Sequence, residues 1–238
     1  MYDYKIFKKN KYFGERKFLM KWGKGTCYYA NGDVSVGYYK FNMLKNGIHY
    51  FKNGDVFEGE FKSNLLHGKG TYRFDDGSVY IGEFNCGEFD GKGIYYFRNG
   101  DRYEGDLKNG RFNGYGTMKY NSCGEIYVGN FKSGVSNGKG ILYTKNGNIY
   151  EGEFKHGLLH GRGKINYQNG DQYRGLFKYN HFIGPGVLIH NKIIYLNIVQ
   201  RGQIFECKIN NKIAKIKLKI KENLQINNVA NEVKFYLN

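Results

Sequence analysis

The sequence predicts an all-β chain, an elongated single-layer antiparallel sheet of tandem β-hairpins. Three observations predict it. The first is a fixed period. The glycine of an aromatic-x-Gly signature falls at Gly14, Gly59, Gly82, Gly105, Gly129, Gly152 and Gly175, with a weakened copy at Gly37, in steps of 22 to 24 residues. A Gly-x-Gly signature follows in each repeat except the weakened one, from Gly23/Gly25 to Gly184/Gly186. A period of this size marks a repeat architecture. The second observation is alternation. Tyr150, Gly152 and Phe154 share one strand face and Glu151, Glu153 and Lys155 the other, the pattern of a half-buried antiparallel strand. The third is turn chemistry. Asn31-Gly32, Asn53-Gly54, Asp76-Gly77, Asn99-Gly100, Asn146-Gly147 and Asn169-Gly170 are strong hairpin signals, read here as turns with positive φ at both central residues.

In chain order, residues 1–11 form a basic, aromatic lead-in, residues 12–191 the tandem repeats, and residues 192–238 a basic C-terminal cap. Repeat one starts at Tyr12. Repeat two is degenerate, with Ser35-Val36-Gly37 in place of Tyr-x-Gly and Gly47 standing alone. Repeats three to eight start at Phe57, Tyr80, Tyr103, Tyr127, Tyr150 and Tyr173, and repeat five carries one extra residue around Asn121–Gly124. Pro185, the single proline, should interrupt or end ladder pairing. Within the cap a strand is expected over Ile193–Val199. A covering hairpin should use Phe205, Cys207 and Ile209, then Ile216, Leu218 and Ile220, before a short helix around Val229–Leu237. Two strands per repeat at about 4.8 Å spacing would make a ribbon roughly 75 Å long.

In each repeat the glycines stand on the aromatic face and leave room for a ring to lie flat across the backbone. That face, including Tyr80, Phe84, Tyr103, Tyr127, Phe131, Tyr150, Phe154, Tyr173 and Phe177, is either the core of a curled sheet or an open groove for a partner's peptide or helix.

The unit Tyr-x-Gly-x-Phe-x₅-His-Gly-x-Gly-x₅-Asn/Asp-Gly, best seen from Tyr80 to Gly100 and Tyr150 to Gly170, resembles the MORN repeat (membrane occupation and recognition nexus) over residues 12–191. Phe61, Phe84, Phe131, Phe154 and Phe177 stand where that family usually has Trp. The resemblance implies a non-enzymatic scaffold at a membrane–cytoskeleton junction, an axoneme or a division structure. It also implies dimerisation through the repeats, and a proposed affinity for phospholipid. In some members the repeats are accessory regions of lipid kinases or methyltransferases.

Catalytic and metal-binding signatures are missing from the spacing. Gly134-Val135-Ser136-Asn137-Gly138-Lys139-Gly140 has three spacers where a phosphate loop needs four, and lacks the Ser/Thr. His67 and His160 share a repeat position held elsewhere by Trp22, Asp90, Asn113, Asn137 and Ile183, which reads as a turn position rather than a catalytic base. Cys27, Cys86, Cys123 and Cys207 lack zinc spacing and read as free thiols. No enzyme activity and no cofactor are expected. The start MYDYKIFKKN lacks an apolar signal core, Tyr2 excludes myristoylation, and no run nears ~18 apolar residues, so a cytoplasmic location is expected.

The net charge of +16 is concentrated at the ends, with +6 on residues 1–24, +5 on 193–238 and +5 on everything between. Lys215, Lys217, Lys219 and Lys221 would project from one strand face, as an acidic-lipid or partner contact or as a solvated edge that blocks aggregation. Expected partners are cytoskeletal or axonemal proteins, a second copy of the chain, and acidic phospholipids. Nucleic acid is not expected, because acids match the lysines interleaved with the aromatics.

Overall fold

The computed structural model describes residues 9–191, 193–200 and 203–209. They fall in two compact bodies divided between Ser122 and Cys123, inside the stretch where repeat five carries its extra residue. The N-terminal body holds β1 (Lys11–Lys17), β2 (Met20–Tyr28), β3 (Val34–Lys40), β4 (Met43–Tyr50), β5 (Val56–Lys62), β6 (Leu65–Arg73), β7 (Val79–Asn85), β8 (Glu88–Tyr96), β9 (Arg102–Lys108) and β10 (Arg111–Tyr120). Each strand pairs antiparallel with the next. The C-terminal body holds β11 (Glu125–Lys132), β12 (Val135–Tyr143), β13 (Ile149–Lys155), β14 (Leu158–Asn166), β15 (Gln172–Lys178), β16 (His181–His190), β17 (Ile193–Gln200) and β18 (Gln203–Ile209), again paired in series. All eight repeats form hairpins, the degenerate second one included.

A row of facing glycines runs across the strands of each body. In the N-terminal body it passes from Gly14 through Gly25, Gly37, Gly47, Gly59, Gly70, Gly82, Gly93 and Gly105 to Gly116. Tyr12, Phe57, Tyr80 and Tyr103 lie over this row, and Leu44 takes the place in repeat two. A Cβ on Gly116 would stand 2.5 Å from Tyr103 Oη, so only a bare backbone admits the ring. Tyr103 donates its hydroxyl proton to Asp106 O (2.7 Å), as Tyr80 does to Glu83 O (3.0 Å), so the buried phenol is satisfied without leaving the face.

Two glycines of each repeat therefore have separate tasks. Gly116 makes room for the ring, whereas Gly114, at φ 115°, belongs to a bulge. Gly105 faces Gly116 and Leu107 faces Phe112, so Asp106 alone opposes Asn113, Gly114 and Tyr115. The sequence reading missed this bulge. Repeat two slips by one residue only, Lys45, which explains why Gly47 needs no companion glycine.

The turns correct the sequence reading. In the Asn-Gly pairs only the glycine has positive φ. Phe51, Lys52, Asn53 and Gly54 form a β-turn closed by Gly54 N–H to Phe51 O (3.0 Å), and Phe51 N–H then bonds Asp55 O (2.9 Å). This is a three-residue loop with a glycine bulge. The two-residue turns with positive φ at both positions join the strands within a repeat, at Cys86-Gly87, Asn109-Gly110, Ser133-Gly134 and His156-Gly157.

Pro185 does not end the ladder. It lies in the β15–β16 bulge, where a missing N–H leaves no bond vacant, and β17 pairs with β16 through Pro185↔Ile198. The strand expected over Ile193–Val199 is β17, and Phe205, Cys207 and Ile209 lie on β18. Residues 1–8 of the lead-in, the strand expected over Ile216–Ile220 and the terminal helix lie outside the described residues.

Candidate functional site

Of the nine rings named as core or groove, Tyr80, Phe84, Tyr103, Tyr127, Phe131, Phe154, Tyr173 and Phe177 are buried, and Tyr150 is half-buried. They are core. Edge-on contacts join them across successive repeats, Phe57 to Phe84 at 4.8 Å and Tyr127 to Phe154 at 5.0 Å. Within each body successive repeats thus pack against one another, the nearest-neighbour coupling expected of a solenoid. Fully burying one such side chain contributes about 1.5–3 kcal/mol. The second strand of the hairpin supplies partners the sequence reading passed over. Phe112 stacks on Tyr103 (3.8 Å, 16°), and Leu159 is buried opposite Phe154.

The rings left partly open are different ones. Tyr29, His49, Phe51, Tyr72, Phe74, Tyr95 and Phe97 are half-buried and form a continuous row in the N-terminal body, with neighbouring centroids 4.5–5.7 Å apart. Tyr72 and Tyr95 pair with Tyr80, which puts the row on the same face as the core tyrosines. A sequence signal existed. His49-x-Phe51, Tyr72-x-Phe74 and Tyr95-x-Phe97 end the second strands, and their phenylalanines recur at 23-residue steps.

Polar groups beside the row lock consecutive turns together. Asp55 accepts Asp75 N–H (2.8 Å) from the next turn and the Tyr72 hydroxyl (2.7 Å). Burial alone would raise the Asp55 pKa, but these bonds and one from Asn53 outweigh it and hold the carboxyl below its ordinary value. Asp33 and Asp101 make the same turn-to-turn bond, to Lys52 N–H and Asn121 N–H. Burial lowers the His49 pKa against the opposing pull of Asp33, 3.4 Å away.

In repeats one, three, four, five and seven the bulge faces an acid, Glu15, Glu60, Glu83, Asp106 or Glu153. Asp106 accepts hydrogen bonds from Lys92 Nζ (2.7 Å) and Tyr115 N–H (2.9 Å), and these bonds, the lysine's first, lower its pKa. Glu15 and Glu60 likewise accept Lys24 N–H and Lys69 N–H. Read from sequence as solvated charges facing lysines, these acids stabilise the backbone of the bulge. His67 and His160 sit at the same bulge, inside β6 and β14 and not in a turn. Among the described residues no group of three or more His, Cys, Asp or Glu could hold a metal ion. Lys215, Lys217, Lys219 and Lys221 lie outside the described residues.

No curated protein sequence matches the chain. A family model described as the MORN repeat matches residues 20–34, 57–79, 80–102, 103–122, 127–149 and 150–172, together just over half of the chain. The degenerate repeat two falls between the first two matches, although its hairpin is intact. With these matches lying on the hairpins, glycine rows and tyrosine core described above, the chain belongs to the MORN repeat family.

Proposed function

We propose that the protein is a non-enzymatic scaffold or adaptor that binds other proteins, itself included, at a cytoskeletal or membrane-proximal assembly in the cytoplasm. The observation that carries this reading is the half-covered aromatic row from Tyr29 to Phe97. It is an extended aromatic surface that stays half-covered beside core rings that are already buried. Extended surfaces of this kind are how repeat proteins bind partners, and aromatic residues are enriched in the buried centres of protein interfaces.

The test is site-specific photo-crosslinking in the native cell. A photoreactive phenylalanine analogue at Phe74 should crosslink to another polypeptide, whereas the same analogue at Glu58, on the opposite face, should not. Equal crosslinking from both positions, or none from Phe74, would remove the row as the contact surface.

A further inference from the structure

The half-covered aromatic row has a spacing of its own. The first four repeats are followed by the same three-residue loop, and the residue entering it is Tyr29, Phe51, Phe74 or Phe97. His49, Tyr72 and Tyr95 stand 4.5–4.7 Å from the last three of these, and the step on to the next repeat's ring is 5.5–5.6 Å. Beyond Phe97 the aromatic pair is lost, because the same two positions hold Met118 and Tyr120, Leu142 and Thr144, then Ile165 and Tyr167.

One repeat advances the sheet by two strands, about 9.6 Å. A partner lying along the row must offer a matching side chain at that interval. An α-helix covers it in about 6.4 residues, which turns each successive contact about 80° round the helix axis. A β-strand covers it in about three residues, an odd number that sends every second contact to the wrong face. A polyproline II helix rises about 9.3 Å in three residues, one full turn, so every third residue meets the next repeat on the same side.

Charge narrows the partner further. The four loops carry Asp33, Asp55, Asp75, Asp76 and Asp101 against Lys52 and Arg98, in a chain whose net charge is +16. Asp75 and Asp76 are exposed. The border of the row is thus acidic on a basic protein, and complementary to a cationic segment. The surface is also ordered in advance. The Tyr72 hydroxyl is held by Asp55, and Asp33 and Asp55 each hold the N–H of the next loop, so docking immobilises little that is not already fixed.

We propose that the row from Tyr29 to Phe97 docks a basic, proline-rich segment in the polyproline II conformation, with prolines against the rings and Lys or Arg directed at the loop aspartates. The chain's single proline, Pro185, lies inside β16, so the segment belongs to a different protein. This inference rests on the scaffold reading above and names the chemistry of the partner.

The experiment is fluorescence anisotropy of labelled peptides titrated with the full chain. A peptide of four Pro-Pro-Lys triplets should bind at least about tenfold tighter than one of four Pro-Pro-Glu triplets, an order opposed by the chain's overall positive charge. It should also bind at least about tenfold tighter than three Pro-Pro-Lys-Ala quartets, whose four-residue period falls out of step with the row. F51T/F74T/F97T should weaken binding at least about tenfold. Repeat six carries Thr144 in the same loop, with the same N–H bond to Asn148 O (3.0 Å), so the loop tolerates that residue. D75N/D76N should weaken binding and flatten its salt dependence while the melting temperature stays unchanged. The proposal is overturned if the Pro-Pro-Lys peptide does not bind, if either control peptide binds as tightly, or if either variant binds it as tightly as the intact chain. Absence of peptide binding together with a crosslink from Phe74 in the cell overturns the proline-rich partner and leaves the scaffold reading standing. Absence of both removes the two together.

Discussion

In repeat four, Tyr80 lies across the facing pair Gly82 and Gly93, bonds Glu83 O, and the strands turn at Cys86-Gly87. In repeat two, Ser35 stands where that tyrosine would be. Leu44 lies against Gly37 in its place, and polar groups fill the space beside it. Ser35 Oγ shares a 2.5 Å hydrogen bond with Tyr39 Oη and donates to Tyr29 Oη (3.0 Å). Lys21 Nζ donates to Cys27 Sγ (2.9 Å) and lies 5.4–5.7 Å from the ring centres of Tyr12, Tyr29 and Tyr39. Both hairpins keep the facing glycines, Gly82↔Gly93 and Gly37↔Gly47. The backbone row fixes the architecture, and the residues laid over it are free to change. Repeats three to six use that freedom for a first-strand ring over the glycines and small turns, and repeat seven seats Leu159 there instead of Tyr150. The first two use it for a polar plug and bulky, exposed turns.

The largest way to break both kinds of repeat at once is alkaline pH. Burial raises the Tyr80 pKa to about 12 and pushes Tyr39, Tyr72 and Tyr103 up as well. In the unfolded chain these phenols ionise near their ordinary value of 10. Their contribution to stability is therefore full below pH 10 and is lost as pH climbs from 10 through about 12. Circular dichroism and phenolate absorbance followed together should show strand loss and ionisation in one cooperative step. Early ionisation with the sheet intact would mean the rings are open to solvent.

Single substitutions then separate the two kinds of repeat. Tyr103→Ala removes a fully buried ring from a regular repeat and should lower stability by about 3–5 kcal/mol in denaturant titration. Ser35→Tyr restores the repeat signature in repeat two, yet should destabilise by about 1–3 kcal/mol, because Tyr39, Tyr29 and the Lys21 ammonium already fill the space. A stabilising Ser35→Tyr would show that the plug is a defect and not a packed alternative.

Much of this was legible in the sequence. The period, the two faces and the tyrosine-over-glycine packing follow from residue type and spacing alone, because ring seats demand glycine wherever they occur. Turn geometry did not. Asn-Gly suits both a two-residue turn and a three-residue loop with a glycine bulge. The deciding fact, the Phe51 N–H to Asp55 O bond and its equivalents, depends on register across strands. The bulge at Asp106 was hidden for the same reason, since an acid on a strand's outer face reads as solvated until its partner N–H groups are located. The buried and half-covered aromatic rows lie on one face and share the 23-residue step. Composition could not say which set, Tyr80 and Phe84 or Tyr72 and Phe74, would be covered, because that depends on packing between consecutive hairpins.

The central claim is that the first two hairpins hold bulky left-handed turns, with Phe18 (φ 49°), Leu19 (φ 60°) and Phe41 (φ 51°), at a cost to folding that repeats three to seven avoid. The most direct measurement is thermal unfolding of a reciprocal swap, F18N/L19G against N109F/G110L. A left-handed bulky residue costs about 1–2 kcal/mol, and 1 kcal/mol moves the melting temperature of a chain this size by roughly 2–4 °C. F18N/L19G should melt higher than the natural chain and N109F/G110L lower. If F18N/L19G melts lower, Phe18 and Leu19 support the fold, and the account of these turns as strained is wrong.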